Sequence, residues 1–129
     1  APNEILNLQR FEYWNGSGWS PDVAAAAPVV EQPVGELSVT WNDYLGRFVM
    51  LYGNDVEGRI VARTAPSPEG PWSAPTTLVT NNDVGNYPGG GLYAPFVLPR
   101  SSGDKLYFTA SQYSSYQVLL LETDLDALR

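Results

Sequence analysis

The stretch "RIVARTAPSPEGPWSAP" at residues 59–75 indicates the fold class, because a strand-like run ends there in a turn rich in proline. In "RIVART" three apolar residues stand between two arginines, and a short apolar run of this kind, bounded by turn signals, is typical of a β-strand. The prolines and the glycine that follow end the strand and favour a tight turn. A similar turn, "GSGWSP", stands at residues 16–21, so the same arrangement recurs along the chain.

A repeat of about 50 residues relates these two turns, since Trp19 and Trp72 occupy matching positions in them. A second repeated pattern consists of a strand, a turn that contains glycine, and another strand. It occurs at residues 37–53, "LSVTWNDYLGRFVMLYG", and again at residues 93–111, "YAPFVLPRSSGDKLYFTAS". Sequence periods of about 40 to 50 residues with several short strands each indicate the blades of a β-propeller.

We therefore predict an all-β chain that forms about two and a half propeller blades and leaves the propeller incomplete. Residues 1–34 would form an outer half-blade, residues 35–80 a complete blade, and residues 81–129 three strands of a further blade. The predicted strands lie near Glu4–Tyr13 and at Leu37–Trp41, Arg47–Tyr52, Arg59–Thr64, Thr76–Val79, Tyr93–Leu98, Lys105–Ala110 and Tyr116–Glu122. Propellers close with about four to eight blades, so a longer protein or a partner chain would supply the rest. A small β-sandwich is the alternative, because the composition would also fit it.

The composition restricts the possible partners and chemistry. With 129 residues, 12 Gly, 11 Pro and 16% charged residues, the chain suits one domain of short strands and turns. A net charge of −7 argues against a nucleic-acid partner, and no apolar stretch is long enough to span a membrane. The chain contains no cysteine and no histidine, which excludes disulfides and both the Ser-His-Asp and Cys-His triads. An enzyme built on it would use carboxylates, tyrosines or Lys105 for proton transfer.

Three motifs in order carry a resemblance to a known family. They are "PVGELSVTWNDYLGRFVMLYG", "IVARTAPSPEGPWSAP", and "GGGLYAPFVLP" followed by "DKLYFTASQYSSYQVLLLETDL". Together they resemble the C-terminal part of a family of secreted bacterial five-bladed β-propellers, long filed as a domain of unknown function and associated with endo-D-arabinanases. The resemblance implies a secreted or cell-surface location and a polysaccharide partner.

The resemblance further implies part of a glycoside hydrolase that cleaves arabinan or a related cell-wall polysaccharide by carboxylate acid/base catalysis. Enzymes of this kind gather acidic residues from several blades, including N-terminal ones that would lie outside this chain. Two alternatives therefore stay open. One is a non-catalytic carbohydrate-binding or adhesion module, and the other is a structural propeller subunit completed by a partner chain.

Glu36 is the predicted catalytic residue. It immediately precedes the strand "LSVTW", which would be the innermost strand of its blade, and the entrance of that strand would face the central funnel. A carboxylate with a raised pKa at such a place can act as a general acid. The alternative is a solvated acid at the start of a strand after Gly35.

The predicted substrate-binding residues border the same funnel. Tyr93 begins the next innermost strand, at the place equivalent to Glu36. The others are Trp41, Asp43, Asp83, Tyr87, Gln112 and Tyr113. Aromatic rings stack on the C–H faces of sugars and amides bond hydroxyls, although packing and turn formation would also explain these residues. The oxygen-rich loop around Asp83 leaves Ca²⁺ open as a ligand, but its spacing matches no EF-hand, and we expect no metal or other cofactor.

Overall fold

The computed structural model describes residues 7–85, 91–99, 101 and 103–129. They form three antiparallel sheets of two, four and three strands. Their helical content is three short 3₁₀ turns, at Leu8–Arg10, Val23–Ala25 and Leu125–Leu128. The all-β class is therefore confirmed. Within the described ranges, no helix has the length and apolar character needed to cross a membrane.

The chain divides into two compact units, and the first is Ala1–Glu31. Its sheet consists of β1 (Tyr13–Trp14) paired antiparallel with β2 (Trp19–Ser20). The side-chain oxygen of Asn15 accepts hydrogen bonds from the N–H groups of the turn between these strands. The rings of Trp14 and Trp19 meet edge to face, with their centroids 5.8 Å apart, so the two tryptophans fix this small hairpin.

The prediction of a strand near Glu4–Tyr13 is wrong for the described residues before Tyr13. In its described part, Leu8–Arg10 is a 3₁₀ turn and pairing begins only at Tyr13. The reason is local, because the side chain of Asn7 accepts a hydrogen bond from the N–H of Gln9 at 3.1 Å. Such a cap satisfies the backbone without a neighbouring strand.

The second unit, Gln32–Arg129, contains the other two sheets. The four-stranded sheet has the order β3-β4-β5-β6, which is also the order of these strands in the sequence. Its strands are β3 (Leu37–Asn42), β4 (Arg47–Asn54), β5 (Arg59–Ala65) and β6 (Thr76–Thr80). The four strands predicted between residues 35 and 80 are thus confirmed, and β4 continues two residues further than predicted.

The three-stranded sheet has the order β7-β8-β9. Its strands are β7 (Leu92–Val97), β8 (Lys105–Gln112) and β9 (Val118–Asp124). The last strand begins at Val118 and not at Tyr116 as predicted. Tyr116 has a φ of 53°, and its N–H donates to the carbonyl of Gln112 at 2.9 Å, so it belongs to the turn before the strand.

The hydrophobic core lies between these two sheets, with β7 packed against β3 and β4. In β4, β5 and β8, alternate residues face it, which is the two-residue period of an extended strand. The core residues are Val49, Leu51, Ile60, Ala62, Val79, Leu92, Val97, Leu106, Phe108 and Ala110, together with Leu125 and Leu128 of the last 3₁₀ turn. The two sheets therefore share one core and are held in a fixed relation to each other.

Candidate functional site

A cleft of about 330 Å³ opens where the two sheets meet. Its walls come from the residue before β3, the turn between β4 and β5, the segment after β6, and the start of β7. The lining residues are Glu36, Asp55, Gly58, Asn81, Gly91, Leu92, Tyr93 and Tyr113. The core positions three of these segments, because β4, β5, β6 and β7 each contribute residues to it. The residue before β3 is held by the pairing of β3 with β4.

Two carboxylates line this cleft, and both are exposed to solvent. The N–H of Gly35 donates to the carbonyl of Gly53 at 2.8 Å, which brings the residue before Glu36 against the end of β4. A Cβ atom placed on Gly35 would lie 3.6 Å from Oδ2 of Asp55. The carboxylate of Asp55 therefore lies over the residue adjacent to Glu36.

Asp55 was not among the predicted site residues. It stands in "NDVEG", whose composition is that of an ordinary turn between two strands. Its position in the cleft depends on the backbone bond between Gly35 and Gly53, which joins residues far apart in sequence. The amino-acid composition of the turn does not indicate that Asp55 lines the cleft.

Tyrosines form the other wall of the cleft. The rings of Tyr93 and Tyr113 meet edge to face at a centroid distance of 6.0 Å. The N–H of Tyr113 donates to the carbonyl of Gly91 at 3.1 Å, which ties the turn after β8 to the start of β7. Two of the predicted binding residues and the predicted catalytic residue, Glu36, thus share one cleft.

Asn81 lines the cleft and connects the four-stranded sheet to the start of β7. Its N–H donates to the carbonyl of Gly58 at 2.8 Å, and its Oδ1 accepts from the N–H of Leu92 at 2.9 Å. A Cβ atom on Gly91 would lie 2.6 Å from Nδ2 of Asn81. The amide is therefore enclosed by two glycines that leave room for no larger residue.

Replacing Gly58 with alanine will lower the free energy of unfolding more than replacing Gly46. The two glycines have φ values of +62° and +60°, so alanine costs about 1–2 kcal/mol of backbone strain at either. A new methyl group at Gly58 would lie 2.5 Å from Nδ2 of Asn81, whereas nothing lies within 4 Å at Gly46. Displacing the amide leaves the N–H of Leu92 unpaired, which adds about 1–3 kcal/mol. Urea denaturation measures the free energy of unfolding of both variants. Equal losses would contradict the conclusion that Asn81 holds the start of β7.

Trp41 and Asp43 lie at the opposite end of β3 from Glu36. Residues five positions apart on an extended strand are separated by about 16 Å, so Trp41 lies outside the cleft of Glu36. Nε1 of Trp41 donates to Oδ1 of Asp43 at 2.8 Å, and the indole meets the ring of Phe48 edge to face. These two residues border a separate cleft of about 300 Å³.

Gln112 is buried, and its amide is engaged by neighbouring loops. Nε2 donates to the carbonyl of Val84 at 3.2 Å, and Oε1 accepts from Oγ of Ser115 at 3.2 Å. These bonds hold the turn after β8, which carries Tyr113. The predicted binding residue Tyr87 lies outside the described residues.

Asp83 forms the turn that follows β6. Its Oδ2 accepts hydrogen bonds from the N–H and from Oγ1 of Thr80, both at 2.8 Å. These bonds lower the pKa of Asp83 below its ordinary value. In the described part of the chain, no group of three or more acidic, histidine or cysteine side chains is arranged to hold a metal ion.

Replacing Asp83 with asparagine will make the free energy of unfolding less dependent on pH in the acid range. A carboxyl whose pKa is lowered by folding contributes stability above its unfolded-state pKa of about 3.9. That contribution is lost as the pH falls through the lower folded-state pKa. Between about pH 5 and pH 2, the wild type will therefore lose more free energy of unfolding than Asp83→Asn. Urea titrations at a series of pH values measure the difference, and parallel pH profiles would contradict it.

Comparison with known families identifies the class to which the chain belongs. The model of the family described as "Domain of unknown function (DUF4185)" matches residues 1–122. The chain therefore belongs to this family. Membership of a family of unknown function, as the resemblance implied, is confirmed, and the association with arabinanases stays a prediction.

Two fungal proteins are similar to the chain. "Notoamide biosynthesis cluster protein J'" of Aspergillus versicolor is 34% identical over 105 residues, which cover 79% of this chain and 28% of the relative. "Notoamide biosynthesis cluster protein J" of Aspergillus sp. (strain MF297-2) is 31% identical over 114 residues, which cover 86% of this chain and 30% of the relative. The chain thus spans less than a third of these curated relatives. Both are fungal, whereas the resemblance implied a bacterial protein.

Proposed function

We propose that the chain is part of a secreted carbohydrate-active protein, a glycoside hydrolase that cleaves arabinan or a related cell-wall polysaccharide. The proposal rests on one observation, which is that two carboxylates, Glu36 and Asp55, line a cleft whose other wall is tyrosine. Most glycosidases use a pair of carboxylates, one as a general acid and the other as a base or nucleophile. This chemistry needs no cofactor, and none is part of the proposal.

The remaining lining residues suit a sugar as the ligand. The faces of aromatic rings accept the C–H surfaces of a sugar ring, and the amide of Asn81 can bond hydroxyl groups. The net charge of −7 favours a neutral polymer over an anionic one, because like charges repel. Arabinan is the neutral polymer that the resemblance of the sequence motifs suggests.

Incubation of the intact assembly that contains this chain with linear arabinan tests this proposal. We expect new oligosaccharides of intermediate length in chromatography of the products, because an endo-acting enzyme cuts within the polymer. Cellulose serves as the control polymer. Unchanged arabinan after prolonged incubation, with binding of arabinan also absent in a pull-down with the insoluble polymer, would contradict the proposal.

A second candidate is a non-catalytic carbohydrate-binding module, and the exposure of both carboxylates favours it. A catalytic general acid is usually shielded from solvent, whereas Glu36 and Asp55 are both exposed. Retention on arabinan without release of oligosaccharides would support this candidate over the hydrolase.

We also propose that the two larger sheets are consecutive blades of a propeller whose other blades lie elsewhere. The chain spans less than a third of its curated relatives, so a longer protein or a partner chain has room to supply them. Native mass spectrometry tests the partner arrangement. A complex heavier than 14.1 kDa with a second kind of chain would support it, and a lone 14.1 kDa species would contradict it.

A further inference from the structure

Three tyrosines form a row that leads out of the cleft. Tyr93 and Tyr113 line the cleft, and Tyr116 continues the row beyond it. The ring centroids of neighbouring members are 6.0 Å apart in both pairs. Tyr93 is partly buried, Tyr113 is 57% exposed and Tyr116 is 76% exposed, so exposure to solvent increases along the row.

The backbone beside this row is strained. Among the described residues, the non-glycine residues with positive φ are Ala94, at 48°, and Tyr116, at 53°. Ala94 follows Tyr93 directly, within the irregular pairing of β7 with β8. A left-handed conformation costs an ordinary residue about 1–2 kcal/mol, and such strain persists where the surrounding structure fixes it, often at functional sites.

The surrounding bonds hold the exposed end of the row in place. The N–H of Tyr116 donates to the carbonyl of Gln112 at 2.9 Å, and the side chain of Gln112 is itself anchored to Val84 and Ser115. A buried amide thus supports a turn whose most prominent side chain is an exposed ring. Packing of the core does not require that ring to be aromatic.

The angles between the rings suit an extended ligand. The planes of Tyr113 and Tyr116 are inclined to each other by only 35°, whereas the ring of Tyr93 stands at 71° to that of Tyr113. A centroid spacing of 6.0 Å is comparable to the length of one sugar unit in a chain. Successive units of a polysaccharide can therefore lie on successive rings while one unit occupies the cleft.

We propose that Tyr113 and Tyr116 form a stacking platform for the sugar units next to the one in the cleft. The ligand is then a saccharide of several units, and short saccharides that reach only the cleft bind without the platform. This inference rests on the proposed function, since it takes the cleft between the carboxylates and Tyr93 as the site of one sugar unit. It adds that the site selects for chain length.

The test compares arabino-oligosaccharides of two and six units in isothermal titration calorimetry with Tyr116→Asn. Asparagine tolerates the left-handed conformation, so the fold is retained while the ring is removed. We expect the Kd for the six-unit ligand to rise roughly tenfold and the Kd for the two-unit ligand to stay unchanged. Tyr116→Phe keeps the ring and will bind like the wild type. Phe96→Ala is the matched control, because it removes an aromatic ring that is also more than half exposed but stands outside the row.

The outcomes separate the platform from the proposed function. If the wild type binds the six-unit ligand and Tyr116→Asn binds it equally well, the platform is wrong and the cleft remains a sugar site. If Tyr116→Phe binds the six-unit ligand as weakly as Tyr116→Asn does, stacking on the ring is not the cause of the tighter binding. If the wild type binds neither ligand, the proposed function fails and the platform fails with it.

Discussion

In the intact assembly of the proposed hydrolase, replacing Glu36 with glutamine will lower kcat for arabinan by about 10²- to 10⁴-fold, the usual contribution of a general acid or base. Glutamine keeps the shape of the side chain but can neither donate the proton to the leaving oxygen nor carry the charge. Asp55→Asn is expected to cause a loss of similar size, because hydrolysis needs both members of the pair. The rate at which new reducing ends are released from arabinan gives kcat for both variants.

The control for this experiment is Glu122→Gln, which makes the same chemical change at an exposed position on β9. It is expected to retain the kcat of the wild type. A change of less than twofold in Glu36→Gln would remove Glu36 from the mechanism. The hydrolase proposal would then depend on carboxylates in other parts of a longer protein.

An activated substrate assigns the separate roles of Glu36 and Asp55. An aryl arabino-oligosaccharide with a good leaving group needs no proton from the enzyme, so a general-acid variant loses little activity on it. A variant that lacks the base or nucleophile stays slow on both substrates. We expect Glu36→Gln to regain activity on the aryl substrate, as the general acid would, and Asp55→Asn to remain slow on it. The reverse pattern would assign the general acid to Asp55.

Replacing Phe108 with alanine will lower the free energy of unfolding by about 3–5 kcal/mol. Phe108 lies on β8, is 1% exposed, and is the largest of the fully buried side chains in the core between the sheets. Its removal leaves a cavity that the neighbouring strands cannot fill without losing their own pairing. Since small domains are stable by only about 5–15 kcal/mol, this variant will unfold at a much lower urea concentration.

Phe96→Ala is the matched control for this prediction. Phe96 belongs to the same sheet, but its ring is 55% exposed, so its loss is expected to cost less than about 1 kcal/mol. Equal losses in the two variants would mean that the core does not lie between the sheets. Circular dichroism during urea unfolding gives both values.

The strands of the second unit could be predicted because local signals and burial agree there. In β4 and β5 apolar runs of strand-forming residues end at Gly53 and at the proline-rich turn, and the structure forms strands at both places. The segment before Tyr13 could not be predicted in the same way. A single side chain, Asn7, decides it by capping a turn, and an alternating pattern does not reveal that competition.

The candidate site could be predicted only in part. The sequence predicts Glu36 and Tyr93 as site residues because each directly precedes or begins a strand at equivalent places in a repeat, and both line the cleft. Asp55 and Asn81 line it as well, but they reach it through contacts between distant parts of the chain. Their own surroundings in the sequence resemble ordinary turns. A long-range backbone contact leaves no local pattern from which it could be inferred.

The position of Trp41 at the far end of β3 has a consequence for spectroscopy. The cleft is lined by tyrosines, and none of its described lining residues is a tryptophan. Tryptophan emission will therefore follow unfolding and stay almost constant when a ligand enters the cleft, whereas near-ultraviolet circular dichroism of tyrosine will respond. Trp14 and Trp19 belong to the first unit and Trp41 and Trp72 to the second. Phenylalanine replacements in one pair or the other would then give each unit its own optical signal.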